Sequence, residues 1–209
     1  ALGVFNAVKA GLKHKFGSAE VENRTFAVQG AGQTGYYLIG YLLEAGAKKV
    51  YFTEINPRHI ERMKQEHPEV EFVKPEDIFS QDVDVLSPCA LGGALNDKTI
   101  PHIKAPVVCG SANNVLLDEE RDGKALKERG IVYCPDFVAN AGGIINVYHE
   151  LHGYVKERVM AEAGKIYDRM LEILAIADAQ GITAQEAAKV FAKQRIEAVR
   201  QLHSNYIPR

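Results

Sequence analysis

Apolar residues in the first two thirds of the chain fall into short β-rich runs separated by stretches of helical spacing. Val4, Phe5, Val8, Leu12 and Phe16 recur at helical intervals up to Gly17-Ser18, which predicts an amphipathic helix lying on a sheet. Strand-like runs follow at residues 25–29, 49–53, 71–73, 83–87, 105–109 and 131–134. Between them the spacing predicts a helix over 33–45, with Gly46 at its left-handed C′ position. A short charged helix opens at Asn56-Pro57 as N-cap and first helical residue, and a further helix lies near 118–129. Strands alternating with helices at this spacing are βαβ units, whose right-handed crossovers build a parallel sheet covered on both faces. The expected class is α/β, with a doubly wound, mostly parallel sheet.

Beyond Gly143 the strand signal almost vanishes. Two long helical patterns span about 155–179 and 184–203, separated by Gln180-Gly181-Ile-Thr183, where Gly181 stops one helix and Thr183 caps the next. Ile166, Met170, Ile173, Leu174 and Ala177 form one apolar stripe; Ala187, Val190, Phe191, Gln194, Ile196 and Val199 form a looser one. The expected division is a domain over 1–152 with its leading helix, and a C-terminal helical segment over 153–209. That segment packs either on the domain or on a surface outside this fold.

Composition narrows the functional classes. A chain of 209 residues that is 46% hydrophobic can bury on the order of 70% of its unfolded surface as one large domain. A net charge of −2, with no cluster of five or more Lys or Arg, argues against a nucleic-acid partner. With no run of about eighteen apolar residues, no membrane span is expected. Cys89, Cys109 and Cys134 are widely spaced and form no CxxC, so they read as reduced core residues of a cytoplasmic protein rather than a disulfide or metal site. The start, Ala1-Leu-Gly-Val-Phe, has neither a Met nor a charged leader and falls in mid-pattern, so the chain is expected to be a piece of something longer.

The densest chemistry lies at Gly30-Ala31-Gly32-Gln33-Thr34-Gly35. This GxGxxG turn joins an apolar run to a helix, and Glu54 ends the next apolar run. Gly30 permits the tight turn, Gly32 lets main chain approach a pyrophosphate, and Gly35 lets the helix pack close to its strand. The pyrophosphate then faces the open N–H groups and positive end of the helix. Together these features predict a dinucleotide site of Rossmann type. Three further clusters follow strand ends, where such sheets bind ligands: Pro88-Cys89-Ala90-Leu91-Gly92-Gly93, Gly110-Ser111-Ala112-Asn113-Asn114, and Pro135-Asp136-Phe-Val-Ala-Asn140-Ala-Gly142-Gly143.

These four motifs, in this order, resemble the cofactor domain of the leucine/phenylalanine/valine dehydrogenases, within the glutamate dehydrogenase superfamily. The resemblance runs over essentially the whole chain. It implies NAD-dependent oxidative deamination of an apolar L-amino acid to its 2-oxo acid and ammonia, with NAD as cofactor and a homo-oligomer as the full enzyme. Carried over residue by residue, it implies cofactor contacts at Gly30, Ala31, Gly32, Gln33, Thr34, Gly35, Glu54, Ile55, Cys89, Ala90, Leu91 and Asn113. It places Asn114, Ile144 and Val147 at the substrate. Where relatives usually have Asp, this chain has Glu54, whose carboxylate accepts from ribose hydroxyls and repels a 2′-phosphate; nearby Arg58 softens that preference for NAD over NADP.

The family's chemistry also rests on an N-terminal substrate domain carrying two lysines and an aspartate, and no counterpart is found within these residues. Lys9, Lys13 and Lys15 occupy polar positions of the first helix. The expectation is therefore a cofactor half with no catalytic residue of its own, negligibly active without a substrate domain. An alternative is a stand-alone NAD-binding or redox-sensing module. A hydroxy-acid dehydrogenase would place a catalytic His in a strand-end loop, whereas His102 follows Pro101 in a short connection, and His149 and His152 are expected to be solvated on a helix. His149-Glu-Leu-His152 lacks HExxH spacing and a third ligand, so no metal is expected.

Overall fold

A computed structural model describes residues 1–204, with side chains through residue 201. Helix α1 (Leu2–Phe16) leads into β1 (Thr25–Gln29), α2 (Gln33–Glu44), β2 (Lys49–Thr53), α3 (Pro57–Glu66) and β3 (Glu71–Phe72). The second half of the sheet is β4 (Val85–Pro88), β5 (Val107–Val108), α4 (Glu119–Glu128) and β6 (Val132–Tyr133). Then come α5 (Asp136–Ala139), α6 (Gly142–Leu151), α7 (Lys156–Gly164), α8 (Ile166–Gln180) and α9 (Ala184–Ser204).

All six strands pair in parallel in the order β3-β2-β1-β4-β5-β6. The strand order reverses between β1 and β4, and this switch point is where open α/β sheets form their ligand crevice. Alternation along β1 explains why both faces are covered. Phe26 and Val28 join a core layer with Val8 and Leu12 of α1 and Leu38 of α2, while Ala27 joins Leu86, Val108 and Leu126 on the opposite face. Strands buried on both faces read as continuous apolar runs, which is why those runs were legible.

The caps follow the sequence. The Asn56 side chain accepts from the Arg58 N–H, and Thr183 and Glu186 form a reciprocal capping box at the start of α9. The helical pattern over 155–179 differs from expectation, because it is two helices broken at Lys165. Gly164, a weak helix former, sits at the break, and the change of direction buries Val159 and Ala163 of α7 as well as Ile166, Met170 and Leu174 of α8. The last helix packs on the domain through its first turns. Ala187 and Ala188 are buried with Ile173 and Ala177, whereas every side chain from Ala192 to Gln201 is exposed.

Candidate functional site

The three glycines of the first turn have three different surroundings. Gly30 has φ +92°, a left-handed backbone that an L side chain rarely adopts, and its N–H donates to the Thr53 carbonyl at 2.8 Å. At Gly35 a Cβ would fall 1.9 Å from the Gly30 carbonyl oxygen, so any side chain would push α2 off β1. Gly32 is the N-cap of α2, and a Cβ there would meet nothing within 4 Å. No side chain caps α2, so an open space lies against a helix start with unclaimed N–H groups.

Glu54 follows β2 and closes this corner from the other side. Its Oε2 accepts from the Ala31 N–H at 2.9 Å, and its Oε1 accepts from the N–H groups of Ile55 at 2.8 Å and Asn56 at 3.0 Å. His59 Nδ1 lies 3.5 Å from Oε2. Burial works against the charged carboxylate, but the amides of Asn56, Ala31 and Ile55, with His59, outweigh it and hold Glu54 below the ordinary carboxylate range. The sequence points to Glu54 as a ligand group; its bond to the glycine turn, which ties the ends of β1 and β2, has no signal in the spacing.

A cleft of about 540 Å³ opens here, lined by Gly30, Gly32, Glu54, Ile55, Cys89, Ala90 and Leu91 together with Gln29, Thr53 and His59. Ile55 and Leu91 are 81% and 77% exposed, two apolar side chains on the rim of one cleft. Thr53 Oγ1 and Gln29 Oε1 are buried and have no hydrogen-bond partner among the described residues. Buried polar atoms lining a cleft next to an open helix start suit a ligand rich in hydroxyl and phosphate groups. The Cys89 thiol is half-buried, and burial pushes its pKa up against opposing contacts with Ser111.

A second cleft of about 430 Å³ is lined by Thr34, Ser111, Asn113, Phe137, Asn140, Gly142, Gly143 and Ile144. The first turn of α2 separates the two clefts, since Gly32 lines one and Thr34 the other. Ala31 is buried beneath that turn, and Gln33 opens α2. Asn113 therefore meets Ile144 at one cleft. Asn114 does not line it: its φ is +50° and its carbonyl accepts the Gly93 N–H at 2.8 Å, joining it to the 92–93 loop. Ile144 and Val147, on successive turns of α6, are 73% and 53% exposed and are not helix core; Val147 lies beyond the residues that line the cleft.

Two residues that fix this cleft were not singled out by sequence. Buried Asp136 accepts from the Val115 N–H at 3.1 Å and the Phe137 N–H at 2.9 Å, holding the 110–115 loop against α5. Asn140 Nδ2 donates to Asn113 Oδ1 at 2.6 Å. Both belong to the 135–143 motif, which its place after a strand end and the family resemblance mark out without giving either residue a role.

The histidines are arranged differently from expectation in one case. The His149 side chain is only 12% exposed and its Nε2 lies 3.5 Å from the Glu162 carboxylate, because α7 folds back over α6. His152 is exposed and stacks on Tyr148, and His102 is exposed in a short turn. No group of three or more His, Cys, Asp or Glu among the described residues could hold a metal, and no described helix is long and apolar enough to cross a membrane.

A family model described as Glutamate/Leucine/Phenylalanine/Valine dehydrogenase matches residues 53–203. A leucine dehydrogenase from Thermoactinomyces intermedius is 45% identical over 207 residues, 99% of this chain and 56% of that protein. A phenylalanine dehydrogenase from Bacillus thermotolerans is 43% identical over 202 residues, 95% of this chain and 52% of that protein. The crystal structure of L-tryptophan dehydrogenase from Nostoc punctiforme superposes with a TM-score of 0.91 at 40% identity, covering 94% of this chain and 59% of that one. The chain thus spans about half the length of the curated relatives it matches.

Proposed function

Because this chain belongs to the glutamate/leucine/phenylalanine/valine dehydrogenase family, we propose that it is the cofactor-binding half of an NAD-dependent L-amino-acid dehydrogenase. The reaction is oxidative deamination of an apolar amino acid to its 2-oxo acid and ammonia, and the reverse. One observation carries the reading. Glu54 bonds the Ala31 amide across a cleft whose floor is a glycine with open space where a Cβ would be.

The residues fit the cofactor. The Gly30–Gly35 turn and the first amides of α2 accommodate a diphosphate, and the rim pair Ile55 and Leu91 offers apolar surface to a flat base. Glu54 accepts from ribose hydroxyls, and its charge disfavours a 2′-phosphate, which supports NAD over NADP. NAD, when bound, supplies the hydride chemistry. This chain's residues bind and orient: Asn113 offers its carboxamide at the second cleft, and Asn114 lies on the adjoining loop. Ile144 and Val147 present an apolar face to the substrate side chain. Burying an unpaired charge against that face would cost several kcal/mol, roughly by the desolvation scale for polar groups, so a second carboxylate is disfavoured.

General acid–base groups are the task of an N-terminal substrate domain, so the 209 residues bind NAD yet turn over negligibly. We place the full enzyme in the cytoplasm as a homo-oligomer, in line with three free cysteines. Calorimetric titration with NAD and NADP, with Glu54→Ala as control, tests the cofactor reading; NAD binding indifferent to Glu54 would sink the ribose role. Adding an N-terminal substrate domain and following NADH formation from leucine, valine, phenylalanine and tryptophan tests the reaction. NAD binding without turnover in that assembly would favour the sensor-module alternative.

A further inference from the structure

Asn140 lies in the junction between α5 and α6, half-buried, with its Nδ2 3.3 Å from the main-chain carbonyl oxygen of Ser111 and 2.6 Å from Oδ1 of Asn113. A carbonyl oxygen only accepts, so the Asn140 atom beside Ser111 has to be the amide nitrogen. That nitrogen carries two hydrogens and offers no acceptor, so the Asn113 atom it meets has to be the oxygen. Asparagine oxygen and nitrogen are ordinarily hard to tell apart. Here the main chain of Ser111 settles both side chains, because rotation cannot turn a carbonyl into a donor.

Once its oxygen is held by Asn140, the planar carboxamide of Asn113 turns its Nδ2 the other way. Asn113 is exposed and lines the second cleft, and no partner among the described residues claims its Nδ2. We infer that Asn140 is a positioning residue that locks the Asn113 carboxamide in one of its two flips, so that the cleft is offered N–H donors and recognises an acceptor oxygen of the ligand. An unanchored asparagine would offer either end and would accept a donor group equally well. The locked one rejects a donor at that point, because two facing N–H groups leave a polar group unpaired. The orientation stands on the main-chain geometry alone; its use in binding rests on the dehydrogenase reading above.

The test uses the 209-residue chain with ¹⁵N-labelled asparagine, assigning side-chain amides by substitution. In the unsubstituted chain the Asn113 amide protons should exchange with solvent, while one Asn140 proton is shifted as a short hydrogen bond requires. Asn140→Asp presents only acceptors, so the Asn113 amide should turn inward and its protons take on the bonded signature. An Asn113 amide already bonded inward before substitution would overturn the orientation. For binding, Asn140→Asp and Asn113→Ala should each weaken NAD about tenfold, the size expected for one lost hydrogen bond with an unpaired group left behind. Asn140→Asp should add nothing in the Asn113→Ala background, since a residue acting through another is non-additive with it.

Equal weakening with and without the Asn113 amide, or NAD affinity indifferent to both substitutions, would overturn the recognition role. If Asn140→Asp fails to fold, Asn140→Ala frees the flip and should cost a few-fold in affinity, again only while Asn113 is present. If the unsubstituted chain binds no NAD, the functional reading fails, and the amide signals still decide the orientation.

Discussion

A Cβ at Gly35 would sit 1.9 Å from the carbonyl oxygen of Gly30, so the first and last glycines of the turn are in backbone contact five residues apart. Neither atom is the end of a flexible side chain. Relief requires moving α2 or the end of β1, and both are packed into the core through Leu38, Phe26 and Val28.

Gly35→Ala should therefore destabilise the chain by about 3 kcal/mol, the upper range for overpacking, read as a lowered urea midpoint. Gly32→Ala is the contrast, because its site is open and its φ of −69° suits any L residue. Its urea midpoint should move by less than about 0.5 kcal/mol while NAD affinity falls at least tenfold, since the methyl takes the space the diphosphate needs. A variant at position 32 that kept full NAD affinity would count against the cofactor assignment.

Glu54 gives a pH signature. Its pKa is held below the usual value in the folded chain, so its contribution to stability is complete above the unfolded carboxylate range, near roughly pH 4, and is lost as pH falls through the lower folded value. Glu54→Gln removes that charge. Acid unfolding of the two proteins should show a stability gap at neutral pH that closes below about pH 4; a gap unchanged down to pH 2 would disprove it.

Thr183 donates through its hydroxyl to Glu186, and that carboxylate also receives the Thr183 N–H. Thr183→Ala breaks the capping box and should cost about 1 kcal/mol. Amide exchange should speed up in the first turn of α9 while the strands are unaffected.

Ile144 is 73% exposed, so truncating it removes little packing from this chain. Ile144→Ala should leave the thermal midpoint nearly unchanged, within about 0.5 kcal/mol. In the enzyme completed by a substrate domain, the same change should alter the ratio of kcat/KM between leucine and phenylalanine by about 10- to 200-fold, the range for one or two methylenes in an apolar pocket. An unchanged ratio would remove Ile144 from the specificity pocket.

The local code of this chain was readable because it is local. The strands read as apolar runs through being buried on both faces, α2 was announced by its glycine turn, and Asn56, Thr183 and Gly46 marked helix ends through their own backbone or side-chain chemistry. The same holds for the chemical candidates: GxGxxG and an acid at the next strand end each need only a few neighbours in sequence to be recognised. What sequence could not supply were relations between segments far apart along the chain. The break at Lys165 exists because α7 and α8 bury separate faces, and His149 is covered because Glu162 returns across α6. Glu54 reaches back 23 residues to the Ala31 amide, and Asn140 reaches 27 residues to Asn113. Residue types restrict which hydrogen bonds are possible; only the packed sheet and its loops decide which of them are made, because a buried polar group must find its partner wherever the chain returns.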